Sequence, residues 1–164
     1  MSDPFRLRVL KALSAALGEI TKANGYSHDF AGKVFRGRLY YGSNDPLPML
    51  TILEPPLPAD RVPAPMNSPV TKGAWEIIIQ GFVPDDRDNP TDPAHFAIAD
   101  VKKRLAIEAK RKGVQPMNMP DPFGLGHGDR KSYIENVKIG PGVVRPPEDG
   151  VSAKAYFWLT LTLN

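Results

Sequence analysis

The 164-residue sequence contains no cysteine. Disulfide bonds, zinc sites with thiolate ligands and cysteine nucleophiles are therefore all excluded. Disulfide-stapled scaffolds belong to oxidising compartments, so the absence of cysteine suits a protein that folds in a reducing cytosol. We expect an apolar core, without covalent cross-links, to hold the fold together.

Long hydrophobic runs are also missing. No apolar stretch approaches the roughly 18–20 residues that a membrane-spanning helix needs, and the first residues lack the apolar segment of a secretory signal. Hydrophobic residues make up 41% and charged residues 24% of the sequence, which is ordinary for a globular protein. The length suits one core, so we expect residues 1–164 to form a single domain outside any membrane.

Neither sign of charge dominates. The sequence has 21 Lys and Arg against 18 Asp and Glu, a net charge of +3, and its basic residues are scattered. Nucleic-acid-binding domains usually concentrate basic residues on one face or tail. Two short basic clusters, 102–104 and 110–112, fall on a predicted helix, and the second complements the dipole at its end. A nucleic-acid-binding module would require both clusters to form one continuous exposed stripe.

Proline, in contrast, is abundant, with 18 residues. Six of the fifteen residues from Pro55 to Pro69 are proline. Proline cannot donate to a sheet and biases the preceding residue towards extended geometry. We therefore predict a stiff arm at about 55–73 and a second irregular loop, rich in proline and glycine, at 113–131.

Two segments have the apolar spacing of amphipathic helices. Asp3-Pro4 predicts the start of the first, at 4–23, with Asp3 as the N-cap, and Asn24-Gly25 predicts its end. The second runs from about 93 to 111, and Gly113 ends it. The apolar stripes are Phe5, Val9, Leu10, Leu13, Ala16, Leu17 and Ile20 in the first helix and Ala94, Ile98, Val101, Leu105 and Ala109 in the second. Several charged residues fall off the second stripe: Asp100, Lys103, Arg104, Lys110 and Arg111.

Five segments read as β-strands. They lie at 33–37, 48–54, 74–83, 133–139 and 154–164, and a Pro/Gly turn is predicted at 141–150. Two helices cannot cover both faces of a five-stranded sheet. The sequence therefore predicts an α+β fold, with a mixed, mostly antiparallel sheet of about five strands and both helices on one face. Apolar residues would then lie on the uncovered face and suggest a protein partner: Phe82, Tyr156 and Trp158.

An acidic stretch, P-D-D-R-D-N-P-T-D-P-A-H from Pro84 to His95, has the density of a metal site. A calcium-binding EF-hand loop needs glycine at its sixth position and glutamate at its twelfth, and no register of this stretch supplies them. Asp92-Pro93 repeats the Asp3-Pro4 pattern, which indicates Asp92 as the N-cap of the second helix. The remaining aspartates precede that helix, where its dipole favours negative charge. No metal or other cofactor is predicted.

Other candidate chemistry is equally weak. Tyr26-Ser27-His28-Asp29 contains the residue types of a catalytic triad, but adjacent residues cannot assemble one. The glycines of 124–128 lack the strand and helix that flank a phosphate-binding loop. We therefore predict no enzymatic activity. A small metal-dependent hydrolase stays open as an alternative, and it would require Asp85, Asp88, His95 and His127 to converge in one pocket.

The order of several motifs resembles the tail terminator (tail completion) proteins of long-tailed bacteriophages. The opening helix runs into T-K-A-N-G-Y, and a C-terminal strand closes the pattern. Each motif is structural and weak alone, and the resemblance lies in their order along most of the sequence. Between the two ends come K-V-F-R-G-R, L-P-M-L-T-I-L-E, W-E-I-I-I-Q-G-F-V, D-N-P-T-D-P-A-H and A-I-A-D-V-K-K-R-L, and the closing strand is A-Y-F-W-L-T-L-T-L.

The resemblance implies a non-enzymatic virion protein, assembled in the host cytoplasm and located at the tail–neck junction. Such proteins form a ring, typically a homohexamer, that caps the tail tube, stops its polymerisation and joins it to the head connector. The implied partners are further copies of the chain, the tail tube protein and connector proteins, with genomic DNA only passing through the ring. A head-completion or adaptor protein of the phage neck is the alternative within virion proteins.

Subunit or partner contacts are expected from the first strand, the two arms and the uncovered sheet face. The candidate contact residues are Arg36, Arg38, Pro58, Arg61, Met66, Phe82, Phe123, Tyr156 and Trp158.

Overall fold

The computed structural model describes residues 3–38, 46–54, 75–84, 86–113, 121–125, 134, 136–145 and 155–163, the last range by its backbone and the side chain of Leu159. Two helices, α1 (Phe5–Leu17) and α2 (Asp92–Ala109), accompany five strands. The strands are β1 (Val34–Arg36), β2 (Met49–Leu53), β3 (Trp75–Val83), β4 (Val137–Arg145) and β5 (Ala155–Leu163). The predicted arm at 55–73, and all of 113–131 except 113 and 121–125, lie outside the described residues.

The strands form one mixed sheet in the order β1-β2-β3-β5-β4. β1 and β2 are parallel, and the other neighbouring pairs are antiparallel. The predicted α+β class, with two helices and a mixed sheet, is confirmed. Among the described helices, none is both long and apolar enough to cross a membrane.

Helix α1 is shorter than predicted because the chain leaves the helix at Gly18. Glycine disfavours continuation of a helix since it loses the most backbone freedom there. The chain then makes a short 3-10 turn at Lys22–Asn24, where the hydroxyl of Thr21 accepts the N–H of Asn24, and Gly25 ends this turn in the left-handed conformation with φ 91°. The predicted stop at Asn24-Gly25 therefore belongs to this turn and not to α1.

Both predicted aspartate N-caps are wrong. Pro4 occupies the cap position of α1, and no side chain caps this helix. Asp3 instead forms an ion pair with Lys11, with 2.6 Å between its Oδ2 and the lysine Nζ. At α2, Thr91 is the cap residue and Asp92-Pro93 begins the helix. Asp92 is thus a first-turn acid, a position that the helix dipole favours.

The apolar stripes of both helices meet a single face of the sheet. Ile77, Ile79 and Val83 alternate along β3, so they point to the same face, and all three belong to one buried cluster. That cluster also contains Leu13 of α1 and Leu105 of α2. Both helices therefore cover this face of the sheet.

Strand β4 differs most from the prediction, which placed a strand at 133–139 and a turn from Pro141 onwards. The strand runs from Val137 through Pro141 to Arg145, and its pairing with β5 shifts register between Ile139 and Gly142. Proline is tolerated on an edge strand or at a bulge because no ladder hydrogen bond is lost there. β4 is an edge strand of the sheet, so both conditions are met.

Candidate functional site

The start of α1 carries two stacked arginines. The guanidinium carbon of Arg6 lies 4.7 Å from the ring centroid of Trp75, the first residue of β3. That of Arg8 lies 5.5 Å from the ring centroid of Phe5. Both arginines are exposed. Cation–π contacts of this kind hold the guanidinium groups in position at the surface.

These arginines occupy the end of the helix that disfavours them. The N-terminus of a helix carries a partial positive charge, and a cation there loses about 0.3–1 kcal/mol relative to a favourable placement. The first turn of α1 contains no acidic residue. Neither arginine is among the predicted contact residues, and the sequence signal for them is a helix with three basic and no acidic residues from Phe5 to Leu17.

Arg36, a predicted contact residue, is the last residue of β1. It is exposed, and its Nη1 donates a hydrogen bond to the Ser14 hydroxyl of α1 at 3.2 Å. We call Arg6 and Arg8, at the start of α1, the basic surface. Arg38, two residues after Arg36, is also exposed, and its guanidinium carbon lies 3.8 Å from the Phe35 ring centroid.

Phe82 is not on an open sheet face. It is 1% exposed and packs with Met49 in a second cluster, against which Phe35 and Leu47 lie partly buried. The prediction that Phe82 is exposed for a partner is therefore wrong. Alternation correctly placed Phe82 opposite the helix-covered face, but the sequence does not indicate that residues from β1, β2 and their connection cover it.

For three of the remaining predicted contact residues, the structure gives strand pairing or partial burial. Tyr156 pairs with Phe82 and Trp158 with Gln80 in the β3–β5 register. Phe123 is partly buried against the main core, in a short 3-10 turn at Pro122–Gly124. Three others lie outside the described residues: Pro58, Arg61 and Met66.

The acidic stretch lies at the other end of β3. Asp86, Asp88 and Asp92 are exposed, and we call these three residues the acidic turn. Asp86 accepts the backbone N–H of Asn89 at 2.9 Å, which shapes the turn. Arg87, also exposed, is the one cation within it, and Asp85 lies outside the described residues.

A shallow cleft of about 360 Å³ opens beside the acidic turn. Its lining is Ser27, His28, Asp86, Asp92, Pro93 and Phe96. Phe96 is 61% exposed, which is unusual for a phenylalanine. The lining therefore combines two carboxylates, a histidine and an accessible aromatic ring.

Asp100 of α2 lies behind the cleft and binds the chain at Ser27-His28. Its Oδ2 accepts the backbone N–H of Ser27 at 2.9 Å and that of His28 at 3.2 Å, and its Oδ1 accepts the Ser27 hydroxyl at 3.4 Å. The prediction from helical spacing had put Asp100 off the buried stripe, but it is 7% exposed. It is buried because the segment before β1 packs on α2, a tertiary contact that helical spacing does not contain.

This arrangement is not a nucleophile relay. In a relay, the histidine stands between the serine and the aspartate. Here Ser27 and His28 both approach Asp100, and the His28 Nδ1 lies 3.5 Å from its Oδ2. The His28 ring also stacks on Phe30, with 5.9 Å between centroids. Asp100 therefore holds the backbone of this segment in place.

The metal-dependent hydrolase alternative gains no support from the described part of the chain. Within it, no three His, Cys, Asp or Glu residues come together in a group that could hold a metal ion. Of the four residues that the alternative needs, Asp88 and His95 are exposed. The other two, Asp85 and His127, lie outside the described residues, as does most of the glycine loop at 124–128.

A buried charge network joins the ends of the two helices. Arg104 donates from Nε to the carbonyl oxygen of Ala16 at 2.9 Å and from Nη2 to Glu108 at 2.7 Å and Glu19 at 2.5 Å. Arg111 forms two hydrogen bonds of 2.7 Å to Glu108. Arg104 is 6% and Glu108 2% exposed, although the sequence had put Arg104 off the buried stripe.

The interactions in this network shift the pKa values of Glu108 and Arg111. Burial raises the pKa of Glu108, but the hydrogen bonds from Arg111 and Arg104 and their positive charges outweigh it and hold the pKa below its ordinary value. The hydrogen bond and charge of Glu108 in turn raise the pKa of Arg111. The spacing of Arg104, Glu108 and Arg111 at i, i+4 and i+7 is the signal by which the sequence could have revealed this network. Its role is to connect the helices.

Comparisons of the sequence with protein-family models and with curated proteins find no match. The order of the motifs and the two charged surfaces described above are the features of this chain that bear on its function.

Proposed function

We propose that this chain is a tail terminator of a long-tailed phage. In this role it forms a ring, typically of six copies, on the last ring of the tail tube. The ring stops tube polymerisation and presents its other side to the head connector. The protein is then a non-enzymatic component of the virion at the tail–neck junction, without a cofactor, and genomic DNA passes through the ring.

The observation that carries the proposal is the coincidence of motifs with framework elements. K-V-F-R-G-R contains β1, L-P-M-L-T-I-L-E contains β2 and W-E-I-I-I-Q-G-F-V is β3. D-N-P-T-D-P-A-H leads into α2, and A-Y-F-W-L-T-L-T-L is β5. The motifs therefore lie on four of the five strands of the sheet and at the start of helix α2, in the order in which these elements follow along the chain.

The surface chemistry supports a role in binding rather than catalysis. The exposed arginines at the start of α1 are held by aromatic rings, and carboxylates are exposed before α2. Ser27 and His28, the residues closest to a catalytic pattern, serve to hold the chain on Asp100. Charged surfaces of this kind give specificity and orientation to protein contacts.

Purified protein mixed with growing tail tubes tests the proposal. We expect electron micrographs in negative stain to show an added ring at one end of each tube, and tube lengths to stop increasing once the protein is added. Tubes with bare ends that continue to lengthen would refute it. Association with DNA-filled heads but not with tails would also refute it and would favour the neck adaptor. Tubes without added protein are the control for spontaneous arrest.

A further inference from the structure

The basic surface and the acidic turn lie at opposite ends of β3. Arg6 stacks on Trp75, the first residue of this strand, and the acidic turn follows Val83, the last. The nine-residue strand spans about 26 Å at roughly 3.3 Å per residue. This separation is far beyond the reach of an ion pair, so the two surfaces cannot neutralise each other within one copy.

The N-termini of the two helices carry side-chain charges of opposite sign. α2 begins with Asp92 in its first turn, as the helix dipole favours, so its acids have a local explanation. α1 begins with two exposed arginines and no acid in its first turn, against the same dipole. Cation–π contacts with Trp75 and Phe5 offset part of the cost of placing these arginines there. The stacking on Trp75 and Phe5 shows that these side chains are held outward in defined positions.

We propose that the basic surface of one copy binds the acidic turn of the next copy, which rests on the ring proposed above. Arg6 and Arg8 are exposed cations, and Asp86, Asp88 and Asp92 are exposed carboxylates. Guanidinium groups bind carboxylates through paired N–H donors, which orient the contact as well as attract. The chain thus supplies its own complementary partner.

This contact joins two different surfaces, so it is heterologous. Each copy that binds a neighbour through its basic surface still presents its acidic turn to a further copy. Such a chain of contacts closes into a ring when the rotation between copies closes, and otherwise forms an open filament. The contact therefore explains how identical copies join head to tail.

Charge reversal on each surface provides the test. Variant one carries Arg6→Glu and Arg8→Glu, which reverses the basic surface and also places acids where the helix dipole favours them. Variant two carries Asp88→Arg and Asp92→Arg. In sedimentation velocity at low salt, we expect the apparent association constant of each variant alone to fall at least tenfold below that of the unmodified chain. An equimolar mixture recovers association, because reversed surfaces pair with each other and native surfaces pair with each other.

The matched control is Lys22→Glu with Lys102→Glu, which makes the same change in net charge as variant one, at exposed residues outside both surfaces. We expect it to associate as the unmodified chain does, and thermal melting checks that all variants are folded. Association of both variants at the unmodified strength, or a mixture that fails to recover it, overturns the proposed contact. So does binding of a labelled DNA duplex that depends on Arg6 and Arg8 without any change in self-association.

The tube-capping assay separates the two proposals. If the unmodified chain caps tubes and the two variants cap equally well, the ring stands and this contact is wrong. If the unmodified chain associates through these charges but never caps tubes, the contact stands and the tail terminator role is wrong.

Discussion

The Nε of Arg104 lies 2.9 Å from the carbonyl oxygen of Ala16 and donates a hydrogen bond to it. A charged side chain of α2 is thereby fixed to the last turn of α1. The same guanidinium also binds Glu108, which is almost fully buried. The relative position of the two helices therefore depends on a buried polar contact in addition to apolar packing, and substitutions there test the fold directly.

Replacing Arg104 with methionine should destabilise the protein by about 3 kcal/mol, because removal of one partner leaves a buried charge without part of its compensation. Urea denaturation measures the change. Arg104→Met combined with Glu108→Met should recover much of the loss, since the uncompensated carboxylate is gone. Lys102→Met on the same helix is the exposed control, with an expected effect within about 0.5 kcal/mol. A single Arg104→Met variant as stable as the unmodified chain would contradict the role of the network.

Stability should fall in acid partly through Glu108. Because its pKa in the folded protein is lower than the 4.5 of the free side chain, the carboxylate contributes stability above that ordinary value. This contribution is lost as the pH falls through the lower, folded pKa. We expect the free energy of unfolding of the unmodified chain to drop more steeply below about pH 4.5 than that of Glu108→Gln. Parallel curves for the two proteins would show that Glu108 is not responsible.

Asp100 should matter as a hydrogen-bond acceptor. Asp100→Ala leaves the N–H groups of Ser27 and His28 without their acceptor, at a cost of about 1–3 kcal/mol. Asp100→Asn keeps one acceptor oxygen and is the matched control, with a smaller loss. Amide hydrogen exchange of Ser27 and His28 provides a local readout, and we expect it to accelerate in the alanine variant. Unchanged exchange at both amides would refute the contact.

Phe82 should contribute to the stability of a single copy. Phe82→Ala removes a ring that is 1% exposed, and substitutions of this kind cost about 3–5 kcal/mol. Phe96→Ala, at 61% exposure, makes the same chemical change at the surface and should have little effect on thermal melting. If the two variants melt at the same temperature, Phe82 is not a core residue.

Local sequence patterns predicted those helices and strands in which the buried positions follow the spacing of the apolar residues. The buried residues of α2 include Ala94, Ile98, Val101 and Leu105, as helical spacing predicts. β3 was predicted within one residue, because an uninterrupted apolar run leaves few alternatives. β4 was not, since Pro141 reads as a breaker unless the strand is known to lie at the edge of the sheet.

The candidate site was less predictable. Arg36 and Arg38 were named from a motif and are exposed as a contact requires. The pairing of Arg6 with Trp75 joins residues 69 positions apart in the sequence, and Asp100 binds a segment 72 and 73 positions away. No spacing rule reaches that far, so only the assembled fold brings these residues together.

The sequence by itself determined the α+β class, the two amphipathic helices and the apolar faces of the main strands, because those depend on periodicities of two and 3.6 residues that neighbouring side chains express. The tertiary structure decided which charges are buried and which residues cover Phe82. It also placed the positive and negative surfaces at opposite ends of β3. Each of these features depends on contacts between segments far apart in the chain, and no local sequence pattern indicates the free energy of such contacts.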